Sequence, residues 1–223
     1  HENIAGSPQL TALEKNHRLA PMALVSINPA SGQTIHRFIE HSRQEVDREL
    51  ERSARSFLAW RELAISERAK MLRKAADVLR AEQSTFAALI TSEMGKPITQ
   101  ARAEIEKCAA VCLYYAKHGP AFLKPERPPE APPRTRVVYE PLGPVLAVMP
   151  WNFPFWQVFR AAAPTLLAGN TILLKHASNV CGCALAIEEV FKRAGFPAVF
   201  LQTLLVTSDA VPRLIASPHV AAV

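Results

Sequence analysis

Two short segments carry the residue types that could do chemistry. One is Met149-Pro150-Trp151-Asn152-Phe153-Pro154, the other Lys175-His176-Ala177-Ser178-Asn179. Each sits at the end of an apolar run. Prolines on both sides of Trp151-Asn152 stiffen the first segment, so the Asn152 carboxamide can be held in one place. A carboxamide NH2 donates two hydrogen bonds without titrating, which suits an oxyanion forming on a substrate. The same amide would equally well satisfy backbone groups of its own loop, and spacing does not choose between the two. Lys175 is a cation at a strand end, where a phosphate or ribose could lie; a plain surface lysine fits the position as well.

The four cysteines fall into two pairs. Cys108 and Cys112 lie i, i+4 on a helical pattern, and Cys181 and Cys183 flank Gly182. Neither pair has finger-like spacing to further ligands, so no metal site is expected. A disulfide framework is not expected in a chain of this length that shows no apolar signal segment. The expectation is buried, reduced thiols in a cytoplasmic protein. Cys181 and Cys183 stand near a helix start, where a thiolate would be stabilised, so they are the rivals for a reactive thiol.

The elements around these segments follow from periodicity. Over residues 143–223, continuous apolar strands (145–149, 171–175, 199–206, 219–223) alternate with helices (155–167, 183–194, 209–216). That alternation predicts a parallel sheet covered on both faces, with ligands outside the carboxyl ends of its strands. No G-x-G-x-x-G follows the first strand, so a dinucleotide would not use the usual fingerprint here. Residues 22–118 begin with a short strand at 24–27 and a turn cluster at 28–32. Residues 44–118 then carry four apolar stripes at helical spacing: Val46, Leu50, Ala54, Phe57, Leu58; Met71, Leu72, Ala75, Val78, Leu79; Phe86, Leu89, Ile90, Met94; and Ile105, Cys108, Ala109, Cys112, Leu113, Ala116. Gly95 and Pro97 divide the third from the fourth, Gly119-Pro120 is expected to end the fourth, and Trp60 reads as a core anchor. Residues 119–142 hold the densest proline run and predict an extended linker or arm, with an edge strand at 135–140. Residues 1–21 have weak periodicity and read as an extension or remnant outside the fold.

Composition excludes several function classes. Of 223 residues, 49% are hydrophobic and 21% charged, which is ordinary for a folded globular chain. The formal charge is +6, from 26 Lys+Arg against 20 Asp+Glu. Arg and Glu are interleaved, as in ERSARSF, which argues for paired helix faces and against a nucleic-acid footprint. No window of 18 apolar residues occurs, so no membrane-spanning helix is expected.

Four motifs in order carry a resemblance. INPASG at 27–32, EMGKP at 93–97, PWNFP after an apolar strand and a strand ending in LLKHAS resemble the cofactor-binding half of the aldehyde dehydrogenase superfamily. The stretches RAEIEKCA, YYAKHGPAFLK and EPLGPVLAVMPWNFPFWQV are most similar to bacterial succinate-semialdehyde dehydrogenases. The match runs from about Met22 to Val223. It implies an α/β fold: N-terminal strand and helices (22–118), a proline-rich oligomerisation arm (119–142), and an incomplete Rossmann-like NAD(P)-binding portion (143–223).

The resemblance also implies a mechanism and a site. A cysteine thiolate attacks the aldehyde, the side chain matching Asn152 holds the oxyanion, a hydride passes to NAD or NADP, and a glutamate activates the water that releases the acid. Trp151 and Asn152 would lie beside the nicotinamide, and Met149 and Pro150 would line the cofactor through their backbones. Lys175 would approach the adenosine ribose, with His176, Ala177 and Ser178 completing the cofactor-binding set. Family members that prefer NAD often carry glutamate at the position of Ser178; serine would not repel a 2′-phosphate, so NADP should be accepted. The family's TGS-like turn, glutamate base and nucleophilic cysteine correspond to sequence beyond Val223, and none of the four cysteines has the nucleophile's surroundings. The chain therefore resembles an N-terminal portion, expected to be inactive alone. The implied partners are a small aldehyde, with succinate semialdehyde favoured, and further copies of the chain through the 119–142 arm. The alternative is a non-catalytic nucleotide-binding or assembly module on the same scaffold.

Overall fold

The computed structural model describes residues 23–223; the expected extension at 1–21 lies outside them. The chain opens with an antiparallel pair, β1 (Ala23–Ile27) and β2 (Thr34–Ile39), joined by a turn in which Gly32 takes φ 71°. Four helices follow: α1 (Arg43–Arg61), α2 (Ile65–Ala81), α3 (Gln83–Met94) and α4 (Ile98–Phe122). Ser42 and Glu45 form a reciprocal capping box at the start of α1. Gly95, at φ 77°, closes α3 in the left-handed region, as EMGKP requires.

The second half alternates β3 (Pro144–Met149), α5 (Pro154–Leu167), β4 (Thr171–His176), α6 (Cys181–Arg193), β5 (Leu201–Thr203) and α7 (Val211–Ile215). The three strands are parallel in the order β3-β4-β5. On the far side of β3, Leu146 N–H donates to Ala222 O and Ala221 N–H to Pro144 O. This segment was expected as a full strand at 219–223, but it makes a single parallel bridge, Val145 to Ala222. The chain thus places successive strands on one side of β3 and then crosses to the other. The point where strand order reverses, at the carboxyl end of β3, is where doubly wound sheets form a ligand crevice.

Both faces of the sheet are covered. Leu146 and Leu173 pack with Val46 and Leu50 of α1 and Leu214 of α7. Ala147, Ile172 and Leu174 face the larger core of α5 and α6, which α2, α3 and α4 back. Every residue of β4 is buried, as a central strand between two helical layers requires. Trp60 is the expected anchor, buried against Phe196 and Phe200.

Three further expectations are corrected. Gly119-Pro120 does not end α4, which runs through both to Phe122. The carbonyl that Pro120 leaves without an N–H partner is that of Ala116, and it accepts from Arg73 instead, at 3.2 Å. Gly119 is a packing residue: a Cβ there would stand 2.0 Å from Leu167 Cδ2. Residues 135–140 form no strand; only Glu126 and Val137 exchange backbone hydrogen bonds. Leu58 lies 62% exposed on the outer shoulder of the α1 stripe, whose inner line is Val46, Leu50, Ser53, Phe57 and Trp60.

Candidate functional site

The loop from Pro150 to Phe153 leaves β3 at the reversal point. Met149 pairs in register with His176, so this loop and the turn after β4 start side by side. Trp151, Asn152 and Phe153 are all exposed. Among the described residues no hydrogen bond to the Asn152 carboxamide is found, so local backbone does not occupy it.

Lys175 and His176 end β4, and both are buried. The Lys175 ammonium has Ser208 Oγ at 3.4 Å as its hydrogen-bond partner. Among the described residues no carboxylate acts on it, and burial holds its pKa below the ordinary lysine value. A buried cation is costly unless something anionic or strongly polar meets it. Lys175 therefore suits a phosphate or a pair of hydroxyls arriving at the strand end. Ser178, half-buried, opens a short 3-10 turn next to it.

His176 does different work. Its Nδ1 accepts the Ala177 N–H at 2.8 Å, and its Nε2 lies 2.9 Å from Pro154 O. Since Nδ1 is an acceptor, Nε2 carries the proton and donates to Pro154 O. Burial pushes this imidazole down to about 4, so it is neutral at ordinary pH. His176 ties the end of β4 to the start of α5; no ligand contact is left for its ring nitrogens.

Both neighbouring helix N-termini are occupied by buried carboxylates. Glu104 Oε1 accepts from Phe155 N and Trp156 N at 2.9 and 3.0 Å, in the first turn of α5. Glu93 accepts from Gly182 N at 3.0 Å and Cys183 N at 2.8 Å, in the first turn of α6. In a dinucleotide fold of the usual kind, such N–H groups receive the pyrophosphate. Here internal carboxylates already satisfy them, which is the structural counterpart of the missing glycine fingerprint. Gly182 is required by this contact, because a Cβ would stand 2.7 Å from Glu93 Oε1.

Glu93, Lys96 and Glu104 were not singled out by sequence reasoning, although a signal existed. Glu93 and Glu104 fall in step with the apolar stripes of α3 and α4, where an acid must be paired or capping something. EMGKP, INPASG and PWNFP also meet in space. Glu93 and Met94, Ile27 and Pro29, and Trp151 line one open hollow of about 350 Å³ with Val25 and Asn179.

The four thiols are buried. Burial pushes all of them upward, Cys181 to about 11, with the Glu93 carboxylate adding to the rise at Cys181 and Cys183. The helix start that favoured a thiolate at Cys181 and Cys183 is outweighed by desolvation and by that carboxylate. None of the four is a low-pKa nucleophile. Among the described residues no group of three or more His, Cys, Asp or Glu could hold a metal ion, and no helix is long and apolar enough to cross a membrane.

The aldehyde dehydrogenase family model matches residues 19–223. The chain is 50% identical over 201 residues to a probable succinate-semialdehyde dehydrogenase [NADP(+)] of Synechocystis, covering 90% of this chain and 44% of that protein. It is 46% identical over 199 residues to the succinate semialdehyde dehydrogenase [NAD(P)+] of Escherichia coli K12, covering 89% of this chain and 43% of that protein. Among solved structures it resembles a succinic semialdehyde dehydrogenase from Streptococcus pyogenes in complex with NADP+. That likeness has TM-score 0.81 and 32% identity, and covers 88% of this chain and 43% of the other. The chain spans less than half the length of these relatives.

Proposed function

This chain belongs to the aldehyde dehydrogenase family, and from that premise we propose that it supplies the cofactor-binding part of an enzyme that oxidises succinate semialdehyde with NADP+ or NAD+. The overall reaction converts aldehyde, NAD(P)+ and water into carboxylate, NAD(P)H and protons. Bound NAD(P)+ supplies the hydride acceptor. The observation that carries the reading is Lys175: a buried cation with no carboxylate partner among the described residues, at a strand's carboxyl end, beside a serine.

The residues present fit the group. Lys175 holds ribose hydroxyls or phosphate by charge-assisted hydrogen bonds, and Ser178 leaves room and neutral surroundings for a 2′-phosphate. His176 and Ala177 shape that wall through their backbone. Met149 and Pro150, at the neighbouring strand end, would line the cofactor through their backbones, with the exposed Trp151 beside them. The Asn152 NH2 donates to the oxygen on which negative charge develops. A carboxamide can steady an oxyanion but cannot create one. All four thiols are buried and pushed above the ordinary cysteine range, so none of them is assigned as the nucleophile. The 119–142 arm is the oligomer contact; its large apolar side chains Val137, Val138, Tyr139 and Leu142 are all exposed.

The test compares NADP+ and NAD+ titrations of the chain and its Ser178→Glu variant. A carboxylate there repels a 2′-phosphate in a partly desolvated site, so NADP+ affinity should fall more than NAD+ affinity. An affinity ratio that stays the same or shifts toward NADP+ would show that Ser178 does not face the ribose.

A further inference from the structure

A buried polar cluster lies directly beneath the Pro150–Phe153 loop. Lys96 and Glu104 form an ion pair in which both side chains are almost wholly buried. Lys96 comes from the GKP turn after α3 and Glu104 from the first turns of α4. Glu104 Oε2 takes the Lys96 ammonium while Oε1 takes the two N–H groups that begin α5. The same ammonium sits 3.7 Å from the centroid of the Phe153 ring. A desolvated cation over an aromatic face is an attractive contact. The next residue along is held too, because Pro154 O accepts from His176.

These contacts converge on the residues immediately after Asn152. Lys96 holds the Phe153 ring, His176 holds Pro154 O, Glu104 holds both Phe155 N and Trp156 N, and Met149 is fixed in the sheet. Only Pro150, Trp151 and Asn152 lie between the two anchors, and proline restricts one of them. An exposed loop would ordinarily sample several conformations, and an oxyanion donor must be preorganised to be effective.

From this geometry we infer that Lys96 and Glu104 are positioning residues for Asn152, with the Phe153 ring as the link between the pair and the loop. The inference rests on the reading of Asn152 as the oxyanion donor. It deepens that reading by explaining why a lysine of the α3–α4 turn and a glutamate of α4 are buried together beneath this loop. The pair contributes no proton and touches no substrate. It sets the backbone from which Asn152 projects, and it neutralises itself so that no net charge sits under the loop.

The test is backbone 15N relaxation of the chain without cofactor, so it does not depend on turnover. Wild-type Trp151 and Asn152 amides should have order parameters near the rigid value of about 0.85. Phe153→Leu removes the ring while leaving the ion pair and the α5 cap intact. It should drop Trp151 and Asn152 toward the flexible range below about 0.6 while the Phe155 and Trp156 amides keep their wild-type values. Phe153→Tyr keeps the ring and should restore rigidity. Lys96→Met should loosen the loop in the same way. If Lys96→Met does not fold, the two Phe153 variants still decide the matter. Wild-type order at Trp151 and Asn152 in Phe153→Leu would overturn the inference, leaving the pair as a helix anchor alone. A rigid loop in the wild type that loosens in Phe153→Leu supports positioning even if Asn152 later proves to hold no oxyanion, so the two failures are distinguishable.

Discussion

Gly182→Ala should destabilise the chain, although alanine is the better helix former. Gly182 lies in the first turn of α6, and replacing glycine by alanine inside a helix is worth about 1 kcal/mol in favour of alanine. The opposing cost comes from Glu93. The new Cβ would stand 2.7 Å from Oε1 and 3.0 Å from Cδ, so the carboxylate must move. Glu93 is only 2% exposed and accepts from both Gly182 N and Cys183 N. Hydrogen bonds to a charged group are worth about 1.5–3 kcal/mol each, and the displaced carboxylate has no water to turn to. Losing two of them and regaining the helix preference leaves a net loss of about 2–5 kcal/mol. Urea unfolding followed by circular dichroism measures it, with Glu93→Gln as the companion variant that keeps the size of the side chain and removes the charge. A Gly182→Ala chain as stable as wild type, or more so, would refute the argument that Glu93 caps α6 at the expense of any side chain at position 182.

Two further outcomes follow from buried groups. His176 is held at about 4 against an ordinary value of 6.5, so the unfolded chain binds its proton first as pH falls. Its contribution is complete above pH 6.5 and is lost between 6.5 and about 4, amounting to about 3 kcal/mol at the acid end. Urea midpoints across that window should fall more steeply in wild type than in His176→Gln, and equal slopes would contradict it. Arg68 is buried with no acid beside it among the described residues, donating to the carbonyls of Leu167 and Leu63 at 2.8 and 2.5 Å and of Trp60 at 3.3 Å. These are carbonyls at the ends of α1 and α5 and in the turn before α2. Arg68→Met should cost about 2–4 kcal/mol in urea unfolding because those acceptors lose their donors. Arg68→Lys should recover only a part, since one ammonium cannot span the fork.

The sheet and the four helices were legible because burial imposes periodicity. Wholly apolar strands at 145–149 and 171–175 and the stripes on α1 to α4 follow directly from two-sided and one-sided covering. β2 was missed because its residues face solvent on both sides, Ile39 at 73% exposure, so no alternation marks it. The end of α4 was misjudged because a proline's orphaned carbonyl can be satisfied from another helix, here by Arg73, and one chain segment does not reveal that. The fourth strand shrank to one bridge although four of the five residues at 219–223 are apolar, against one of three in β5. At the site, the loop and Lys175 could be picked out by residue type and position. Glu93, Lys96 and Glu104 could not be given a role, because capping α6 and α5 depends on three-dimensional proximity across about 50 to 90 residues of chain. The appearance of Glu93 and Glu104 within apolar stripes was the one visible sign.

The central claim is that the end of β4 receives the cofactor through Lys175, and isothermal calorimetry of NADP+ binding to the chain and to Lys175→Ala tests it most directly. Loss of a charge-assisted hydrogen bond predicts saturable binding to wild type, weakened by about 1–3 kcal/mol, or roughly 5- to 150-fold, in the variant. No saturable binding to the wild-type chain, or the same affinity for both proteins, would contradict it.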